Sequence, residues 1–357
     1  MGNAPDTPTR RRALSWGLKA GALALAAWLV LRLLGGLEWA DVAARLATAR
    51  PAWLAAAVAA LVLRMVIWDQ RWREAIRRSG GLPSRPVTLA ALLAAAAVNS
   101  ITPTVRVVGG VLRGRWIGRS SGLSLGRAYG SVLFDQLAHQ VVTGSVTVVA
   151  LIGALLTTGR TAAGLGLAAA ALAVVAAGGF WLGRRRGRRS ELIRAFAERL
   201  VGRASAGGAL ERLVAHGREA IEVVATLLAD VGLRGRAILL GVAFFLVNAA
   251  AQWLVFLALG EPVSAWVVLA VVSLGAAAGI LVGTPGGLGA AEAAMIAGFT
   301  ALGVDRVDAT AASLLYRALH FAVVLGLGLP SLAWLELGSP ARRDPSPAAR
   351  PSAGEGG

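Results

Sequence analysis

The stretch SAWVVLAVVSLGAAAGILVGTPGGLGAAE, from Ser264 to Glu292, decides how this chain is read. Residues 264–283 are apolar and rich in small side chains, with Gly275-Ala276-Ala277-Ala278-Gly279 forming a face that lets helices approach closely. They run into Thr284-Pro285-Gly286-Gly287-Leu288-Gly289, which breaks a helix: proline lacks the N–H and glycine favours turns. A short apolar helix carrying Glu292 follows. Irregular backbone at membrane depth is tolerated only where protein buries it or water reaches it. The stretch therefore predicts a re-entrant hairpin.

Working outward, the whole chain supports a membrane setting. Its 357 residues are 56% hydrophobic and 15% charged, with a mean hydropathy of +0.66. Soluble domains carry about 25% charged residues, so a soluble enzyme is excluded. Lys and Arg number 36 against 19 Asp and Glu, a net charge of +17, and Lys19 is the one lysine. The basic residues fall in short links between apolar segments, as the positive-inside rule places them, and not in a nucleic-acid-binding module. The absence of cysteine excludes disulfides, thiol nucleophiles and cysteine-held metals. No Gly-Lys-Ser/Thr loop for ATP exists. With only His139, His216 and His320, neither a metal site nor a cofactor is expected.

Along the chain, a polar tail at 1–13 with Arg10, Arg11 and Arg12 precedes an uncleaved signal anchor at 14–34. A near-neutral link at 35–50 leads to a span from Pro51 to Trp68, then a basic link to Arg85. Residues 87–102 are apolar but short, end at Asn99-Ser100-Ile101-Thr102-Pro103, and are followed by Gly109-Gly110 and basic sequence to Arg127. This predicts a first re-entrant hairpin. Spans at 128–157 and 161–183 precede an Arg-rich insert at 184–236, whose helical apolar spacing (Ile221, Val224, Leu227, Leu228) suits amphipathic helices on an anionic leaflet. Spans at 237–258 and 309–335 flank the second hairpin, and the tail 336–357 reads as disordered. The expected fold is all-α: six full spans plus two re-entrant hairpins, eight or more apolar helices, with residues 14–335 forming the membrane domain.

The two hairpins echo one another. Thr102-Pro103, Gly109-Gly110, Ser131 and Asp135 correspond to Thr284-Pro285, Gly286-Gly287, Ser313 and Arg317. Three crossings separate them, so the second enters from the opposite face. That is an inverted repeat, which in transporters places substrate near the midplane at broken helices. With both termini inside, residues 71–86 and 184–236 also fall inside, and the near-neutral links at 35–50, 259–263 and 303–308 fall outside.

The string Pro285-Gly286-Gly287-Leu288-Gly289-Ala290-Ala291-Glu292, with Arg317 beyond it and Asn99, Pro103, Gly109-Gly110 and Arg113 before it, resembles the lysylphosphatidylglycerol synthase transmembrane region family, or flippase-like domain proteins. The resemblance covers about residues 15 to 335. It implies a multi-spanning protein of the bacterial cytoplasmic membrane that handles phospholipid or polyprenyl-type lipid. In bifunctional members such a region is thought to flip an aminoacylated phospholipid made by a separate soluble domain. No such domain is expected after the last span, so the synthase activity does not carry over and the chain is not read as an enzyme. The family pattern has an acid after the first glycine pair, where Val111 stands here. It also has a Glu-Arg-x-x-Asp run where Asp135-Gln136-Leu137-Ala138-His139 stands.

The candidate lipid-headgroup residues are Asn99, Arg113, Asp135, Gly286, Gly287, Gly289, Glu292 and Arg317. A carboxylate at membrane depth costs about 2.5–3.5 kcal/mol, so Glu292 needs a partner, and Arg317 in the next helix is the natural one. The pair either ties two helices together or meets a headgroup or proton. The three glycines either permit a plain turn or open a helix N-terminus to phosphate. Arg113 is a snorkelling residue or a phosphate clamp. Asp135 and His139, four apart on one helix face, form a structural pair or a proton relay. Asn99 caps the broken helix or touches ligand. Arg64 is expected to snorkel or to pair with Asp135. The function expected is a lipid flippase or transporter acting at a midplane polar cleft. The alternative is a non-catalytic scaffold that binds a lipid- or glycan-modifying enzyme through the insert.

Overall fold

The computed structural model describes residues 39–102, 107–159, 209–282 and 285–337. Within them the elements are α1 (Trp39–Ala47), α2 (Pro51–Arg78), α3 (Arg85–Ile101), α4 (Val107–Ser121), α5 (Leu125–Thr158), α6 (Ala209–Ala229), α7 (Val231–Ala258), α8 (Ala265–Val282), a 3-10 turn (Pro285–Gly287), α9 (Ala290–Ala301) and α10 (Arg306–Leu337). This is an all-helical membrane protein. Four helices, α2, α5, α7 and α10, are long and apolar enough to cross a membrane, with 28, 34, 28 and 32 residues. They coincide with four of the six expected spans. The other two, at 14–34 and 161–183, lie outside the described residues, as do the tail at 1–13, the insert up to 208 and residues 338–357.

Local chemistry sets the helix limits. Pro51 opens α2 at a position where its missing N–H costs nothing. The Ser124 hydroxyl accepts from Arg127 N to cap α5, and the Asp230 carboxylate accepts from Leu233 N to cap α7. That N–H, with Arg78 adding to it, holds the Asp230 carboxyl below its ordinary range. The second span is longer than the sequence reading made it. Nothing interrupts the helix after Trp68, so Arg71, Arg73, Arg77 and Arg78 stand on α2 itself, which ends before Gly80 at a φ of 100°. α7 likewise begins at Val231, not at 237.

Ion pairs mark two opposite ends of the bundle. At one end Arg45 bridges Glu261 and Asp308, bringing the three near-neutral links together. At the other, basic end, Arg78 meets Asp230, Arg236 meets Glu74, and Arg127 meets Glu219. α2 and α7 run antiparallel between these ends, since Arg50 N donates to Ala258 O at one and Arg78 holds Asp230 at the other.

α3 and α4 form a helix–break–helix pair that starts and finishes at the basic end, where Gly81 lies against Leu123. α8 and α9 form a second pair, which starts and finishes at the Arg45 end, next to Glu261 and Asp308. Close packing inside each pair depends on glycine. A Cβ on Gly109 would lie 2.5 Å from Ala95 O, and one on Gly275 would lie 2.6 Å from Met295 Cγ. The two glycine pairs of the sequence echo do different work. Gly109 and Gly110 sit inside α4, whereas Gly286 and Gly287 form the turn itself, with φ of 58° and 74°. The echo is therefore one of helix–break–helix form, and its Gly–Gly alignment does not hold.

The apolar side of α6 also finds a place that the sequence reading did not give it. Ala220 and Val223 meet Gly130 of α5, and Leu227, Val224 and Leu228 cluster with Phe134, Leu233 and Ala237. That face covers protein, and among the described residues of the expected stripe only Ile221 stays exposed.

α10 packs along α3 through Gly328, whose added Cβ would fall 2.5 Å from Leu93 O and 2.6 Å from Ala97 Cβ. Replacing Gly328 by alanine should push the two helices apart at a cost of about 1–3 kcal/mol. Gly326→Ala is the control, since open space surrounds that position. Thermal unfolding in detergent should show a lowered midpoint for G328A and an unchanged or raised one for G326A.

Candidate functional site

The breaks of the two helix pairs meet. A Cβ on Gly286 would stand 3.0 Å from Ser100 O at the end of α3, and 2.9 Å from Phe321 of α10. Only a residue without a side chain and with a positive φ fits there. Behind this junction lies a cavity of about 160 Å³. Both tips contribute to it, through Asn99, Ser100 and Thr102 on one side and Gly275, Gly279, Gly286 and Gly287 on the other. Its remaining walls come from α2, α5, α7, α9 and α10, so every long helix touches it.

Arg317 ties the second tip to the bundle. Its Nε donates to Glu292 Oε1 at 2.6 Å and its Nη2 to the carbonyl of Gly286 at 2.7 Å, while its guanidinium lies 4.7 Å from the Phe321 ring centroid. The pair foreseen from the sequence thus forms, and one arginine holds both a carboxylate and an otherwise exposed turn carbonyl. Glu292 stands in the first turn of α9, where a carboxylate complements the free N–H groups of the helix start. Its second oxygen is buried without a partner among the described residues.

The candidate residues divide into two groups. Asn99, Gly286, Gly287 and Arg317 line the cavity. The Asn99 carbonyl oxygen also accepts from Gly109 N at 2.9 Å, capping the returning helix α4. Glu292 reaches the cavity through Arg317, and Gly289 caps α9 beside it at a φ of 81°.

Arg113 and Asp135 form a second, separate centre. Asp135, 1% exposed, accepts from Arg71 Nε at 2.8 Å, Arg113 Nη1 at 3.1 Å and Trp68 Nε1 at 2.9 Å. The Arg113 guanidinium lies 4.6 Å from the Trp72 ring centroid and 5.4 Å from that of Trp68. These are cation–π distances for a charge removed from water. Arg113 is 3% exposed and does not snorkel. His139, one helical turn on from Asp135, lines the cavity, with its ring stacked 5.3 Å from Phe245 and edge-on to Phe244.

Arg64 corrects the sequence reading. It is 5% exposed, so it does not snorkel, and it bonds to Asn248 Oδ1 and His320 Nδ1, not to Asp135. Tyr316 donates its hydroxyl to the same Asn248 oxygen at 2.8 Å. Asn248, Tyr316 and His320 are cavity residues that the sequence reading did not place in the site. The signal was present in Asn248 and Gln252, two amides four residues apart in an otherwise apolar helix, which mark a face that meets polar partners.

A family model described as lysylphosphatidylglycerol synthase TM region matches residues 19–328. No protein in the curated set matches the chain.

Two substitutions test this geometry. Asp135→Asn removes the one carboxylate shared by two buried arginines, and breaking a buried pair in this way costs about 3–5 kcal/mol. The variant should lose most of its thermal stability in detergent. Gly286→Ala places a methyl group against Phe321 and Ser100 at a strained φ. It should separate the tips, read as increased proteolytic cleavage or hydrogen exchange at residues 285–289.

Proposed function

This chain belongs to the lysylphosphatidylglycerol synthase transmembrane region family, and we propose that it carries the anionic headgroup of a phospholipid or polyprenyl-type lipid across the membrane. The headgroup passes through the cavity between the two helix breaks while the acyl or prenyl tails stay in lipid. The observation that supports this reading is the meeting of two breaks that approach from opposite ends of the bundle. Two re-entrant hairpins of opposite entry, touching near the midplane, are the arrangement by which broken helices offer a polar site to a substrate. Turn backbone and polar side chains there spare the headgroup the cost of bare hydrocarbon. The step is movement, with no bond made or broken.

The reading also assigns the basic end of the bundle to the cytoplasm of a bacterial cell, by the positive-inside rule. The anionic leaflet and a lipid-modifying enzyme are the partners it suggests for the Arg-rich insert. Because the chain lacks cysteine, single cysteines report orientation directly. Thr48→Cys at the Arg45 end should react with an impermeant thiol reagent from outside the cell, and Ser84→Cys at the basic end only after permeabilisation. The reverse pattern would overturn the orientation.

In proteoliposomes holding a labelled anionic phospholipid or polyprenyl phosphate, the protein should speed transbilayer exchange over empty vesicles. Glu292→Gln frees Arg317 from its carboxylate and should slow that exchange by at least about tenfold, equivalent to roughly 1.4 kcal/mol. Exchange no faster than in empty vesicles for every lipid class tested would remove the flippase reading.

A further inference from the structure

Arg64 is a buried cation that makes no ion pair among the described residues. Among the described residues, the arginines that line the cavity are Arg64 and Arg317, and of these Arg317 holds a carboxylate. The bonds of Arg64 go to neutral groups, Asn248 Oδ1 and His320 Nδ1, and its guanidinium lies 5.8 Å from the Phe244 ring centroid. His320, Tyr316 and Arg317 are the titratable groups beside it, and the like charge of Arg317 opposes it. Its Nε is buried with no partner among the described residues.

The contact with His320 fixes a further point. Guanidinium nitrogens only donate, so the contact is a hydrogen bond where Nδ1 of His320 offers its lone pair. The histidine supplies no countercharge. Among the described residues lining the cavity there is no Asp and no Glu.

An uncompensated guanidinium out of water is costly, and membrane proteins keep such groups where they meet a partner or a substrate. The cavity is also small. At about 160 Å³ it is close to an engineered cavity of about 150 Å³ that takes one benzene, so one phosphate-sized group fills it. A second fixed cation, on a ligand, would meet the unpaired charge of Arg64 beside an Arg317 whose charge Glu292 offsets.

Resting on the lipid reading above and sharpening it, we propose that Arg64 is the charge receptor of the cavity, binding a phosphate-bearing anion and selecting against headgroups that carry an ammonium group. Arg64 supplies the countercharge from α2, and Arg317, already held by Glu292, lines the facing side. Asn99 and Ser100 at the first tip add neutral hydrogen-bonding groups. A lipid whose phosphate is left bare or carries a neutral substituent fits, and an aminoacylated phospholipid does not. The selection comes from like-charge repulsion inside a low-dielectric cavity, where it is far stronger than in water.

The test uses the full chain in a neutral detergent, with binding read by calorimetry and by ligand-induced shift of the unfolding midpoint. The probes are phosphatidylglycerol, phosphatidic acid, lysylphosphatidylglycerol and inorganic phosphate. Wild-type protein should bind the two anionic lipids at least about tenfold more tightly than the lysyl lipid, a difference of roughly 1.4 kcal/mol. Arg64→Gln should lose the anionic lipids by a similar factor without a lowered midpoint in ligand-free protein. Arg64→Lys, which keeps the charge, should retain most of the affinity. Equal or tighter binding of the lysyl lipid by wild type, a comparison that needs no variant, overturns the proposal. So does unchanged binding of the anionic lipids by R64Q, or the binding of no probe at all. Arg64-dependent binding of inorganic phosphate alone would sustain the anion receptor and remove the lipid reading of the preceding subsection.

Discussion

A peptide carbonyl without a hydrogen bond cannot be left in hydrocarbon, and the turn at Pro285–Gly287 has to be covered. The end of α3 and Arg317 cover it. Gly286 lies against the end of α3, and its own carbonyl accepts from Arg317. The need to cover this turn makes sense of much else: glycines where it touches α3, a carboxylate to hold Arg317 in place, and four long helices packed around the junction. Each of these features has little purpose if the tips are pulled apart.

The charges fall into three sets with different tasks. Those around Arg45 and those around Arg78 and Glu74 tie links together at the two ends, where water screens them and each pair contributes about 1 kcal/mol or less. The Asp135 centre is fully enclosed, and with two arginines to one carboxylate it fixes α2, α4 and α5 against each other. The third set, Arg64 with Arg317 and Glu292, borders space. Enclosure separates structural charges from those open to a ligand, and residue type alone does not.

Much of this was legible in the sequence, and the failures share a cause. Hydropathy and Pro–Gly breaks located both helix pairs and four long helices. The cost of a lone carboxylate in an apolar helix pointed to the Glu292–Arg317 pair. What periodicity along one chain cannot convey is which helix lies opposite. Arg64 was matched to Asp135 because both were charges within spans, yet Arg71 and Arg113 already held that carboxylate. Asn248 and Tyr316 escaped notice because an amide and a phenol raise no alarm in an apolar helix until their neighbours are known. The stripe on α6 was assigned to lipid for the same reason, since a protein surface and a leaflet ask for the same pattern.

Trp68 has a consequence for how the cavity changes shape. Its ring forms part of the cavity wall while its indole nitrogen is bonded to Asp135 at 2.9 Å, in the most enclosed ionic centre of the protein. That wall cannot shift without breaking a charge-assisted bond in a place water does not reach. The helix pair α8–α9 lines the cavity with glycines at 275, 279, 286 and 287 among the small or unbranched side chains of Ala276, Ala291 and Met295 and the one branched Val272. The cavity is thus braced on one flank and compliant on the other. Any breathing motion of the cavity falls to the α8–α9 flank, where Arg317 ties the Gly286 turn to Glu292.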